Sequence, residues 1–196
     1  MTGSTIDRLL RANRQVLLVP IIDGATAPLL VGPDGSTTPF ATPAASVLSG
    51  WSSVVTTTAT GASNGGNISC ALLDSLNLGL AASATDTELT VCSIGNEAVP
   101  TFYNVNCVLE IFRDKNKSDT GVFNLATMLL CAADTRYAVI DRIGKSSTAV
   151  LTASDVISIY EIKTDNPVDV KADQANLKLQ QTPDPTGLVN VNVALV

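Results

Sequence analysis

The chain has 196 residues, enough for one domain, and its 45% hydrophobic content can fill a core, while no run of about 18 apolar residues offers a membrane span. Histidine is absent, which removes the commonest general base, the Ser-His and Cys-His pairs and His-based metal sites. The net charge of −6 is unevenly spread: residues 1–14 hold three Arg and one Asp, residues 15–112 hold seven acids and no Lys or Arg, and residues 113–196 hold nine basic and ten acidic residues, a pattern that argues against groove-binding of duplex DNA.

Residues 1–15 read as an amphipathic arm, with Ser4 or Thr5 as a cap and Ile6, Leu9 and Leu10 on one face. Arg8, Arg11 and Arg14 precede an apolar stretch, 16–22, that is too short for a signal peptide and is interrupted by Pro20. Residues 15–22 are expected to form a strand that ends at Asp23-Gly24. Residues 23–47 read as a long irregular loop, with a turn at Gly32-Pro33-Asp34-Gly35 and a short strand at 29–31. A hairpin is expected over 54–72, with β-branched residues in its first arm, a turn at Asn64-Gly65-Gly66 and a second strand at 68–73. Residues 88–94 form a further expected strand, closed by Gly95-Asn96.

The clearest strand is 102–113, where Tyr103, Val105, Cys107, Leu109 and Ile111 share one face. Asn104, Asn106, Val108, Glu110 and Phe112 share the other. After the 114–121 loop comes a helix at 122–132, capped by Asp119 or Thr120, with Phe123, Thr127 and Leu130 on one side and Leu125 and Leu129 adjoining. Strands follow at 136–143 and 155–162, joined through a hairpin turn at Gly144-Lys145, and a shorter one at 177–180. The end, 188–196, alternates Val189, Val191, Val193 and Leu195 against Asn190, Asn192 and Ala194. The predicted fold is mainly β: one domain, a β-sandwich or barrel with one packed α-helix and extended arm, loop and hairpin elements.

Motifs that carry chemistry are weak. Gly144-Lys145-Ser146 resembles the end of a phosphate loop, but Val139 stands where the first glycine belongs. Asp114, Asn116, Ser118 and Asp119 alternate oxygen ligands, yet the glycine and glutamate of a calcium loop are missing and Lys115 and Lys117 oppose a cation. Asp86 and Glu88 form a carboxylate pair without the aromatic platforms of a sugar site. The four cysteines form no CxxC pair and read as buried free thiols. No cofactor or metal is expected. Only 15% of residues are charged, which suggests that much of the surface meets neighbours.

The strand at 104–113, its polar loop, the helix FNLATMLL at 123–130, the strand RYAVIDRIGK at 136–145 and the opener ASDVISIY at 153–160 occur in an order that resembles the major tail tube proteins of siphophages, especially those of actinobacterial hosts. The segment ATDTELTV at 84–91 resembles one common in the same proteins. The resemblance covers residues 80–165 and implies a non-enzymatic virion protein of the phage tail, assembled in the host cytoplasm. It implies self-association into hexameric rings, stacked as a tube whose acidic bore passes DNA without binding it, and tape-measure, tail-tip or terminator proteins as further partners. Asp86, Glu88, Glu97 and Glu110 are then candidate lumen acids. Arg8, Arg11, Arg14, Asp114, Lys115, Lys117 and Asp119 are candidate contacts between rings. A capsid decoration or tail terminator protein is the alternative virion role.

Overall fold

The computed structural model describes residues 13–53, 64–82, 104–113, 121–170 and 177–196, together with the backbone of short strands at 57–58, 85–86 and 99–100. The first half holds β1 (Arg14–Asp23), β2 (Pro28–Val31), β3 (Thr37–Pro39), α1 (Ala45–Leu48) with a 3-10 turn (Ser49–Ser53), β4 (Thr57–Thr58), β5 (Asn64–Asn67), β6 (Asn77–Ala81), β7 (Thr85–Asp86) and β8 (Val99–Pro100). The second half holds β9 (Asn104–Phe112), α2 (Val122–Leu130), β10 (Arg136–Ile143), β11 (Val156–Lys163), β12 (Val168–Val170), β13 (Lys178–Gln181) and β14 (Asp184–Ala194). The fold is mainly β.

Eight strands join in one curled sheet whose main path runs β14-β11-β10-β1-β2-β3, with β5 on β1 and β4 on β5. A second sheet of four strands has the order β12-β13-β9-β6, and β7 pairs with β8. The unbroken apolar run of β1 makes sense at the centre of the large sheet, where both faces are covered. Leu17, Val19 and Ile21 enter one core cluster with Trp51, Leu30, Phe40, Ile140 and Ile159. Val16 and Leu18 enter a second cluster, with Leu109 and Ile111 of β9 and Ala126, Leu129 and Leu130 of α2. The second sheet and α2 therefore lie on one face of the large sheet, while α1, the 3-10 turn and the chain end close the other.

Pro20 sits inside this central strand without breaking it. One edge of β1 pairs continuously with β10, from Arg14↔Ile143 to Pro20↔Tyr137. Along the other edge, Leu17 and Leu18 pair with β5 and residues from Ile21 onward pair with β2, so Pro20 falls between two partners.

The Asn64-Gly65-Gly66 stretch, expected as a turn, is strand β5, and the close fit explains its glycines. A Cβ on Gly65 would stand 2.7 Å from Pro20 Cδ, 2.8 Å from the Leu18 carbonyl oxygen and 3.0 Å from the Trp51 ring. Conversely, residues 68–72, expected as strand, turn instead: Ala71 N–H and Leu72 N–H both donate to the Ile68 carbonyl, at 2.9 and 3.2 Å. The irregular 23–47 stretch holds a β2–β3 hairpin around the expected turn, where Gly35 N–H donates to Gly32 O at 3.0 Å and Gly35 has φ 85°. The expected strand at 88–94 lies outside the described residues.

The predicted alternation of β9 is observed: Val105, Cys107, Leu109 and Ile111 are buried and the residues between them are not. That of β14 is not observed. Against β11, Ile157↔Val193 is followed by Ile159↔Asn190, and Tyr160↔Val189 by Ile162↔Pro185. The surplus residues bulge out of the ladder, and Asn192 takes a left-handed φ of 55°. Val191 is exposed as a result, while Leu195 is buried. In α2, with Gly121 at the N-cap position, the expected Leu129 and Leu130 are buried and Phe123 packs against the same core, while Ala126 is buried in addition and Thr127 is only half-buried. Asp119 and Thr120, the expected caps, lie outside the described residues.

Candidate functional site

The candidate functional surface was expected to rest on acids and arm or loop cations, and the structure places three of these residues. Asp86 is in β7, paired through its backbone with Val99. Glu110 projects from the outward face of β9, where the Ser75 hydroxyl donates to it and Lys178 stands 3.4 Å away. Arg14 begins β1 instead of ending an arm. Its guanidinium clamps Asp141 through two bonds of 2.7 and 2.8 Å. Hydrogen bonding to Asp141 holds Arg14 above its ordinary pKa against the opposing effect of burial. Glu88, Glu97, Arg8, Arg11, Asp114, Lys115, Lys117 and Asp119 lie outside the described residues.

The connection from β10 to β11 is not the tight turn expected at Gly144-Lys145; it runs over residues 144–155. Its shape follows from Arg142, which is 2% exposed and donates to the carbonyls of Ser146, Ala149 and Val150 and to Asp155 at 3.0 Å. Lys145 takes the other Asp155 oxygen, and Thr152 N–H also donates to the carboxylate. Burial works to raise the Asp155 pKa, but the bonds from Lys145, Thr152 and Arg142 outweigh it and hold the carboxyl well below the usual range. Gln15 and Asn67 add amide bonds to the carbonyls of the same loop.

These contacts belong to a wider pattern. Among the described residues, every Lys and Arg is paired inside the subunit. Arg113 meets Asp169 at 2.7 Å, and Arg136 bridges Asp23 and Glu161 at 2.6 Å each. Lys163 meets Asp134, and the remaining cations are the Arg14, Arg142, Lys145 and Lys178 already placed. Asp34, Asp165 and Asp184 have no such partner among the described residues. What remains exposed among the described residues is an excess of negative charge with no free cation.

The sequence reading did not identify the acids that quench these cations. A signal was available for two of the pairs: Asp141 and Arg142 sit side by side in the largely apolar RYAVIDRI of β10, where each buried charge needs its own partner. Cysteine placement also corrects expectation. Cys107 is buried and its thiol is pushed up to about 12 by that burial, but Cys70 and Cys131 are exposed. Cys92 lies outside the described residues. No group of three or more Cys, Asp or Glu among the described residues is arranged to hold a metal.

The sequence model of a family described as phage tail tube protein matches residues 34–196. The chain belongs to that family. Membership makes it a structural component of a phage tail, and the matched span contains the whole of residues 80–165, on which the sequence resemblance rests. Comparison with curated proteins gives no match. No helix of the described tail tube chain is long and apolar enough to cross a membrane.

Proposed function

We propose that this protein is the repeating subunit of the tail tube of a long-tailed phage, closing into hexameric rings that stack around a bore for genome ejection. The observation that carries the reading, beyond family membership, is the internal pairing of every described cation. A wall that DNA must pass should offer no fixed positive charge to its phosphates, and unpaired carboxylates repel them. The role is structural, and no step of catalysis is required.

Asp86, Glu88, Glu97 and Glu110 are the acids proposed to face the bore. Glu110 contributes less than its formal charge because Lys178 stands beside it. Arg8, Arg11, Asp114, Lys115, Lys117 and Asp119 are the proposed contacts between rings. Arg14 is the weakest of that group, since Asp141 already occupies it. Tape-measure and tail-tip or terminator proteins are the proposed partners, with assembly in the host cytoplasm. Negative-stain electron microscopy of the purified protein, with and without a tail-tip initiator complex, tests the reading. Hollow tubes are expected. Monomers that persist in the presence of the initiator would transfer the protein to the decoration class.

A further inference from the structure

A cavity of about 230 Å³ lies between β1 and residues 69–76, and its lining is mixed. Val16, Leu72, Leu73 and Leu76 supply apolar walls. Two of the polar groups beside them are engaged within the fold. The Arg14 guanidinium is clamped by Asp141, and the Ser69 hydroxyl donates to the Asn67 side-chain oxygen at 2.6 Å. Asp74 is exposed, so it brings a carboxylate to the rim. The Ser147 hydroxyl marks another point of the margin, 3.7 Å from Sγ of the exposed Cys70. An occupant of matching character carries apolar side chains for the walls and a cation for the rim.

The chain itself delivers such a segment to the mouth. Arg14, which lines the cavity, is the first residue of β1. The Gly144 N–H donates at 2.7 Å to the Asn13 carbonyl, which fixes the point where residues 1–12 join the sheet. The sequence of that segment sets Ile6, Leu9 and Leu10 on one helical face, with Arg8 and Arg11 on the other. From Ile6 to Asn13 is about two helical turns, roughly 10 Å, so these side chains stay within reach of Arg14. Ile143 pairs with Arg14 across the ladder and is 52% exposed, which extends the apolar surface beside the mouth. A tethered segment also presents itself at roughly millimolar effective concentration, which favours it over the same segment of another copy in dilute solution.

We infer that the cavity beside β1 is the docking site of residues 1–12 of the same chain, with Leu9 and Leu10 set among Leu72, Leu73 and Leu76 and Arg11 beside Asp74. Docked in this way, the segment covers Leu73 and leaves Arg8 on the outward side, where the proposed contact between rings needs it. Docking precedes any assembly, so this contact and the tail tube role can fail independently.

Cys70 at the margin provides a native reporter. The full chain carrying Leu10→Cys, mixed with an isotope-labelled copy of itself in dilute solution, is treated with a short bismaleimide, and linked peptides are read by mass spectrometry. The introduced thiol should join Cys70 within one chain. Asp74→Lys in the same background changes an exposed position and should lower the yield of that link by roughly threefold or more, the scale of losing and reversing a surface charge pair. Circular dichroism serves as the folding control. Absence of the link to Cys70 in the folded protein overturns the inference, as does a yield that Asp74→Lys leaves unchanged. Links found only between labelled and unlabelled chains overturn the same-chain occupant and give the cavity to the arm of a second copy. Each of these results leaves the tail tube reading as it stands.

Discussion

Arg142 and Asp155 are thirteen residues apart and meet at 3.0 Å beneath the loop that joins them. The guanidinium acts as the internal template of that loop, since it also collects three of its carbonyls. Removing Asp155 leaves the buried Arg142 charge uncompensated, which costs about 3 kcal/mol or more, whereas removing Arg142 leaves Asp155 still paired with Lys145 and costs less. Asp155→Asn and Arg142→Met should each lower the urea midpoint, with an unchanged denaturant slope. Asp155 also sets an acid dependence. Its folded pKa lies below the unfolded value of about 3.9, so its contribution is complete above that pH and is lost as pH falls toward the folded value. The difference in stability between wild type and Asp155→Asn should therefore be largest near neutrality and shrink below about pH 4. A difference that grew on acidification would contradict the assigned pairing.

Gly65 provides a separate test of packing. Its α-hydrogens face Pro20, the Leu18 carbonyl and the Trp51 ring at distances that leave no room for a methyl group. Gly65→Ala is expected to destabilise by about 1–3 kcal/mol through overpacking. Because Trp51 is the sole tryptophan and is fully buried, its emission should shift to longer wavelength in that variant before global unfolding. Wild-type stability and an unaltered spectrum would show that β5 does not lie against β1 as described.

What could be read from the sequence follows from where each strand sits. The alternation in β9 marked its inward residues correctly because one face meets the core and the other faces outward. The same logic failed in β14, where bulges shift the side chains between faces and leave Val191 exposed. Asn64-Gly65-Gly66 has the composition of a turn, yet its glycines answer a tertiary demand, close approach to β1, that no local pattern encodes. The short β6 and β12 and helix α1 carry too few residues to show a period. The charge pattern was legible as an absence of cations over residues 15–112. Its completion was not, because the quenching pairs span 13 residues for Arg142–Asp155 and 127 for Arg14–Asp141, and only the fold brings them together.

The internal pairing of the described cations predicts behaviour toward DNA. The wild-type protein should not retard a duplex in a gel shift at low ionic strength. Replacing the exposed Asp165 and Asp184, which have no cationic partner among the described residues, together by Lys changes the net charge from −6 to −2 and puts cations at two exposed positions. That variant should retard DNA at about 50 mM salt and lose the effect by about 200 mM, as counterion release requires. Strong retardation by the wild type would remove the electrostatic argument for a bore that passes DNA freely.

The thiols should separate by accessibility and by acidity. Cys107 lies within the second core cluster with its thiol pushed up to about 12, so its thiolate is scarce and its sulfur is shielded. Cys70 is exposed, 3.7 Å from the Ser147 hydroxyl. Cys131 is also exposed, but partial burial raises its pKa, with Arg113 opposing the shift and Asp169 adding to it. Iodoacetamide at pH 8, followed by peptide mass spectrometry, should therefore modify Cys70 first, Cys131 more slowly, and Cys107 only when urea unfolds the chain. Raising the pH to 9 should accelerate Cys131 markedly while leaving Cys107 protected, because the barrier at Cys107 is burial as well as protonation. Modification of Cys107 at the rate of Cys70 in the folded protein would mean that β9 does not close the core as described.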